Sequence, residues 1–156
     1  MPVVIVEERP DTADAVQLIL ELESHLAPLY PRESRHGYSV DKLLREGVAF
    51  FVARVDGLPA GCGGIQLVGA EDGDAYGELK RMYVRPAFRG RGVGKLLLAH
   101  LADYARQRGV DVLRLETGVH QVEAIGLYER FGFRRIRPFG PYRDDLLSLC
   151  FEKRLA

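Results

Sequence analysis

Apolar residues recur along this chain at two periods. Val3 to Val6 form a β-branched run that predicts a strand over 3–8, broken at Pro10. Ala15, Ile19, Leu22 and Leu26 then recur three or four residues apart, the spacing of one helix face. Asp11 stands where it can cap that helix, and Asp14 where it meets the positive helix end. Pro28 and Pro31 end it. Ser39 is placed to cap a short helix over 40–46. An apolar run over 48–55 predicts a strand, and Asp56-Gly57 is a hairpin signal that returns the chain along 60–68. Gly61, Gly63 and Gly64 weaken strand propensity there and mark close packing or the approach of a ligand. After a turn over 69–73, a third strand follows over 75–84, which makes an antiparallel meander. Val93, Leu97, Leu101 and Tyr104 share one face of a helix over 93–108 that Gly109 closes. A short strand over 112–116 and a helix over 121–130, with Val122, Ile125 and Leu127, come next. Gly132 ends that helix. Two late strands are expected over 133–138 and 146–153, joined by the turn-rich loop P-F-G-P-Y-R-D-D.

A meander followed by strand, helix, strand and helix predicts an α/β fold in three layers. The central sheet is mixed, of six to seven strands, with helices on both faces. At 156 residues the chain reads as a single domain over 1–156, long enough for a substantial core.

Charge narrows the function. Lys plus Arg and Asp plus Glu number 22 each, so the formal net charge is zero and no overall basic field favours a nucleic acid. No apolar run approaches the roughly 18 residues of a membrane span, and M-P-V-V-I-V-E-E lacks the basic start of a signal peptide. Cys62 and Cys150 sit in apolar stretches and read as buried free thiols of a reducing cytoplasm, which is the expected location. The four histidines and two cysteines show no metal-ligand spacing, so no metal is expected.

The most informative stretch is Y-V-R-P-A-F-R-G-R-G-V-G-K, residues 83–95. Arg89, Gly90, Arg91, Gly92 and Gly94 crowd the point where strand becomes helix. A helix start presents unpaired N–H groups and a partial positive charge to an anion. Glycines let the backbone approach it, and guanidinium groups suit phosphate oxygens. Two familiar cradles fail. A Walker loop needs Gly where Arg89 stands and Ser or Thr where Leu96 stands. A dinucleotide fingerprint needs Gly where Leu97 or Lys95 stands. What remains is Arg89-x-x-Gly92-x-Gly94.

That pattern resembles the GNAT (N-acetyltransferase) superfamily, and so do E-L-K-R-M-Y-V-R-P before it and A-I-G-L-Y-E-R-F-G-F at 124–133. The likeness extends over most of the chain, and its tail resembles a bacterial subgroup. It implies acetyl-coenzyme A as cosubstrate, its pyrophosphate held by Arg89, Gly90, Arg91, Gly92, Val93, Gly94 and Lys95. It implies a bulge near Met82, Tyr83 and Val84 whose backbone holds the pantetheine and thioester. Gln121 stands where the family usually has asparagine facing the coenzyme. Tyr128 matches the tyrosine that protonates the departing thiolate. Glu78 matches a catalytic glutamate of some members, with Glu116 as the alternative base.

The implied activity is N-acetyl transfer by direct attack in a ternary complex. The acceptor is a primary amine of a small molecule, amino acid or peptide. The polar segment 30–38 is either a solvated connector or a substrate loop; its Tyr30, Arg32, Arg35 and His36 would then favour an acceptor with a carboxylate. The rival readings are a non-catalytic acyl-coenzyme A sensor and an ATP-binding module. The family resemblance allows a homodimer, which no feature of the sequence fixes.

Overall fold

The computed structural model describes residues 2–69 and 73–155. The expected turn over 69–73 therefore falls largely outside the described residues. The chain runs through β1 (Val3–Glu7), α1 (Ala13–Leu26), α2 (Val40–Arg45), β2 (Ala49–Val55), β3 (Leu58–Val68) and β4 (Tyr76–Val84). It continues through α3 (Val93–Gln107), β5 (Val112–Gly118), α4 (Val122–Phe131), β6 (Arg134–Ile136) and β7 (Ser148–Arg154). One seven-stranded sheet takes the order β1-β2-β3-β4-β5-β7-β6. Every pairing is antiparallel except β4 with β5.

Two cores flank the sheet. Leu18, Ile19 and Leu22 of α1 and Leu43 of α2 pack with Phe50, Val52 and Tyr83 on one face. Leu98 and Leu101 of α3 and Tyr128 of α4 pack with Phe51, Leu79, Leu113 and Phe151 on the other. The three-layer α/β expectation therefore holds.

Local signals resolve as physical chemistry suggests, with three differences. The strand expected over 133–138 is only Arg134–Ile136, because the chain leaves the sheet ahead of Pro138, which cannot donate to a ladder. The cap of α1 is Thr12, whose hydroxyl accepts from the Ala15 N–H at 3.3 Å; Asp11 pairs with Arg9 at 2.8 Å instead. The last strand starts at Ser148 and not before, because Leu146 lies in the preceding loop, 94% exposed. Asp56 and Gly57 both take positive φ, 51° and 80°, as a tight two-residue hairpin demands.

Two irregularities position the site. First, β4 and β5 pair only at Gly77 with Leu113 and Glu78 with Arg114, then diverge. The β5-facing side of β4 is thus left open beyond Glu78. Second, the β3–β4 register slips between Cys62 opposite Tyr83 and Gly64 opposite Lys80, so β4 carries one extra residue. Arg81 takes φ 57° there. The bulge centres one residue before the expected Met82–Val84 stretch. It also resets the alternation of β4: Lys80, Arg81 and Tyr83 turn away from α3, while Leu79 and Met82 pack with it. The glycines of β3 serve this close packing. A Cβ on Gly61 would lie 2.6 Å from the Tyr83 carbonyl oxygen, and one on Gly63 2.5 Å from Met82 Sδ.

Candidate active site

Where β4 and β5 part, a cleft of about 660 Å³ opens between the end of β4, the start of α3 and α4. Gly92 is the N-cap of α3, at φ 79°, and no side chain caps the helix. Its first-turn N–H groups are therefore available to an anion. Gly90 and Gly92 have nothing within 4 Å of where a Cβ would sit. An uncapped helix start beside two open glycines fits a pyrophosphate, so the residues present suit the expected cosubstrate.

Met82, Tyr83, Val84, Arg89, Gly90, Gly92, Val93, Gly94, Lys95, Gln121 and Tyr128 all line this cleft. Arg91 does not; its guanidinium lies over the Phe88 ring, 5.6 Å from the centroid. Arg89 is held by the Val84 carbonyl at 3.1 Å and reaches Glu123 at 3.5 Å. Tyr83 offers the cleft little of its ring, which packs against α1 while its hydroxyl donates to Glu21 at 3.2 Å.

A second, smaller chamber of about 120 Å³ adjoins the cleft. Leu22, Met82, Gln121, Ala124 and Tyr128 line both. The Tyr128 ring is buried, and its hydroxyl makes no hydrogen bond among the described residues. Burial, with a smaller contribution from the Glu116 charge, pushes its phenol well above the usual range, so it stays protonated.

The chamber is polar and mostly self-neutralised. Glu78 Oε2 accepts from Lys80 Nζ at 2.7 Å and from the Tyr142 hydroxyl at 2.6 Å, with all three residues buried. Lys80 also sits over the Tyr38 ring, 4.0 Å from its centroid. Arg81 is ion-paired with Glu23 of α1. His36 pairs with Asp145 at 2.7 Å, and Ser34 donates to the same carboxylate at 3.1 Å. Burial alone would raise Asp145, yet hydrogen bonds from His36, the Leu147 N–H and Ser34 hold it below the usual carboxylate range. Glu116 differs. It accepts a hydrogen bond from Ser148 at 2.6 Å but has no ion-pair partner among the described residues. Burial raises it above the usual carboxylate range, against the opposing pull of the Ser148 bond, His36 and Lys80.

Segment 30–38 is more than a connector. Tyr30 is buried, accepts from the His120 N–H at 2.9 Å and donates to Gln121 Oε1 at 3.2 Å. Gln121, expected to face the coenzyme, thus also holds this segment. Tyr30, Arg35 and His36 line the chamber, whereas Arg32 is exposed and lines neither cavity. Sequence reasoning missed Lys80, Tyr142, Asp145 and Ser148. The last three lie in or just after the loop between β6 and β7, where only turn chemistry could be read.

The chain is similar to known proteins. The model of the acetyltransferase (GNAT) family matches residues 16–133. An IAA acetyltransferase of Azospirillum brasilense is 46% identical over 153 residues, 98% of each chain. A solved structure from Klebsiella pneumoniae, assigned to the acyl-CoA N-acyltransferases, is 37% identical with a TM-score of 0.80, covering 99% of this chain and 98% of that one. The fold also matches an N-acetyltransferase of Thermoplasma acidophilum solved in complex with coenzyme A, at 22% identity and a TM-score of 0.76, over 99% of each chain. A matched family model across the cleft, and relatives aligned over nearly the whole chain, establish that this protein belongs to the acetyltransferase (GNAT) family and is an acetyltransferase.

Proposed function

We propose that this chain moves the acetyl group of acetyl-coenzyme A to a primary amine of a small molecule by direct attack. The observation that carries the reading is the meeting of two cavities at Tyr128: a cleft with an uncapped helix start, and a smaller polar chamber with a carboxylate that has no ion-pair partner among the described residues. The first suits a long phosphorylated donor and the second a compact polar acceptor.

Arg89, Gly90, Gly92, Val93, Gly94 and Lys95 would hold the pyrophosphate. The open edge of β4 at Met82 to Val84 would hold the pantetheine, and Gln121 would border it. The bound cosubstrate supplies an activated acetyl group. An alkyl ammonium has a reference pKa near 10.4, so a base must take its proton. Glu116 is better suited than Glu78. The Glu78 carboxylate is already engaged by a buried ammonium and a phenol, both on its Oε2. Glu116 lacks such a cation and is raised by burial, closer to the pH at which it must work. Tyr128, kept protonated, is placed between the cavities to give its proton to the departing sulfur.

Calorimetric titration with acetyl-coenzyme A of the wild type and of Arg89→Ala, followed by thiol release with a panel of amines, tests this. Binding weakened by the substitution, and release that depends on the amine, are expected. Binding without release for any amine would instead mark an acyl-coenzyme A sensor. No binding at millimolar ligand would sink the reading.

A further inference from the structure

We infer that the acceptor is a free amino acid, bound as a zwitterion with its carboxylate on Arg35 and its ammonium at Glu116. The inference rests on the acetyl-transfer reading above and names its substrate class. Within the chamber, Glu78 is matched by Lys80, His36 by Asp145 and Arg81 by Glu23. Two charges are left over. Glu116 has only a hydroxyl partner, and the Arg35 guanidinium has no ion-pair or hydrogen-bond partner among the described residues. Its Nε is shielded from water and unsatisfied. Glu116 and Arg35 line the same chamber yet form no ion pair with each other.

Leaving one half-buried anion and one half-buried cation uncompensated in a small polar chamber is unfavourable unless a ligand supplies both opposite charges. A zwitterion does so in one molecule, and guanidinium recognises carboxylate with two parallel donors. A plain amine would leave Arg35 unmatched. A peptide N-terminus would too, because its neighbouring carboxyl is an amide. The chamber, at about 120 Å³, is far below the roughly 300 Å³ at which drug-sized pockets begin, so it suits an amino-acid head group.

The chemistry balances. The ammonium gives up two protons. One goes to Glu116; the other replaces the proton that Tyr128 gives to the departing sulfur. One N–C bond forms as one C–S bond breaks.

The test compares kcat/KM for glycine, alanine and leucine with that for the corresponding amides, by thiol release. Acetyl-coenzyme A binding is titrated on each protein used. The wild type should prefer each acid at least about tenfold. Arg35→Gln should bring the ratio close to one, and Arg35→Lys should restore part of it. Arg32→Gln, three residues away and outside the chamber, should leave the ratio as it was. A wild type that binds acetyl-coenzyme A but acetylates amides as well as acids overturns the zwitterion and keeps the acetyltransferase. So does an acid preference that survives Arg35→Gln. A wild type that does not bind acetyl-coenzyme A overturns both.

Discussion

Lys80 Nζ stands 2.7 Å from Glu78 Oε2, and the two side chains are only 6% and 8% exposed. They are two residues apart on β4 and point to the same face. Taking one charge from such a pair leaves the other buried and unmatched, which costs about 3–5 kcal/mol. Glu78→Gln and Lys80→Met should each lose stability on that scale. The double variant should recover much of the loss. Urea unfolding of the four proteins gives the coupling. Single variants within about 0.5 kcal/mol of wild type would show that the pair is not closed in solution.

Glu116 carries the pH behaviour. Burial raises its folded pKa above the unfolded value, so the folded state favours the protonated acid. Its stability contribution is present below the unfolded pKa and is lost as pH rises through the folded one. Glu116→Gln should therefore flatten the pH dependence of stability on the acid side of neutrality. Catalysis runs in the opposite direction, since the base works only when ionised. The acid limb of kcat/KM should fall above the ordinary Glu value of about 4.3, and Glu116→Gln should cost roughly 10²–10⁴-fold in rate with acetyl-coenzyme A binding kept. An acid limb that persists in Glu116→Gln would pass the role to another group.

Tyr128→Phe should lower kcat by about 10²-fold, the low end for general acid help, because a thiol of reference pKa near 8.5 already leaves fairly well. Acetyl-coenzyme A affinity should change little, since the ring that fills the core next to Phe133 is retained. A loss below about twofold would make Tyr128 a packing residue only.

Gly61→Ala tests whether the bulged end of β4 is held by its neighbour. The new Cβ would meet the Tyr83 carbonyl oxygen at 2.6 Å, and backbone cannot yield as a side chain tip can. The variant should lose about 1–3 kcal/mol of stability and also bind acetyl-coenzyme A more weakly. Unchanged thermal unfolding with unchanged affinity would contradict that account.

The sequence by itself determined what depends on near neighbours. Helix and strand periods, the Asp56-Gly57 hairpin, the glycine caps and the Arg89-x-x-Gly92-x-Gly94 turn are set by residues a few positions apart, so they could be read directly. Residues of the family motifs line the cleft. The tertiary structure alone decided the chamber. The insertion of β7 between β5 and β6 puts Ser148 against Glu116, and the loop before β7 brings Tyr142 to Glu78 and Asp145 to His36. These partners lie 32, 64 and 109 residues apart. Which carboxylate is neutralised and which is left with its charge is a property of those long-range pairings. Glu78 and Glu116 are alike as letters. Lys80, turned to the same face of β4 and buried beside Glu78, pairs the one, while the other has a hydroxyl partner and no ion-pair partner among the described residues.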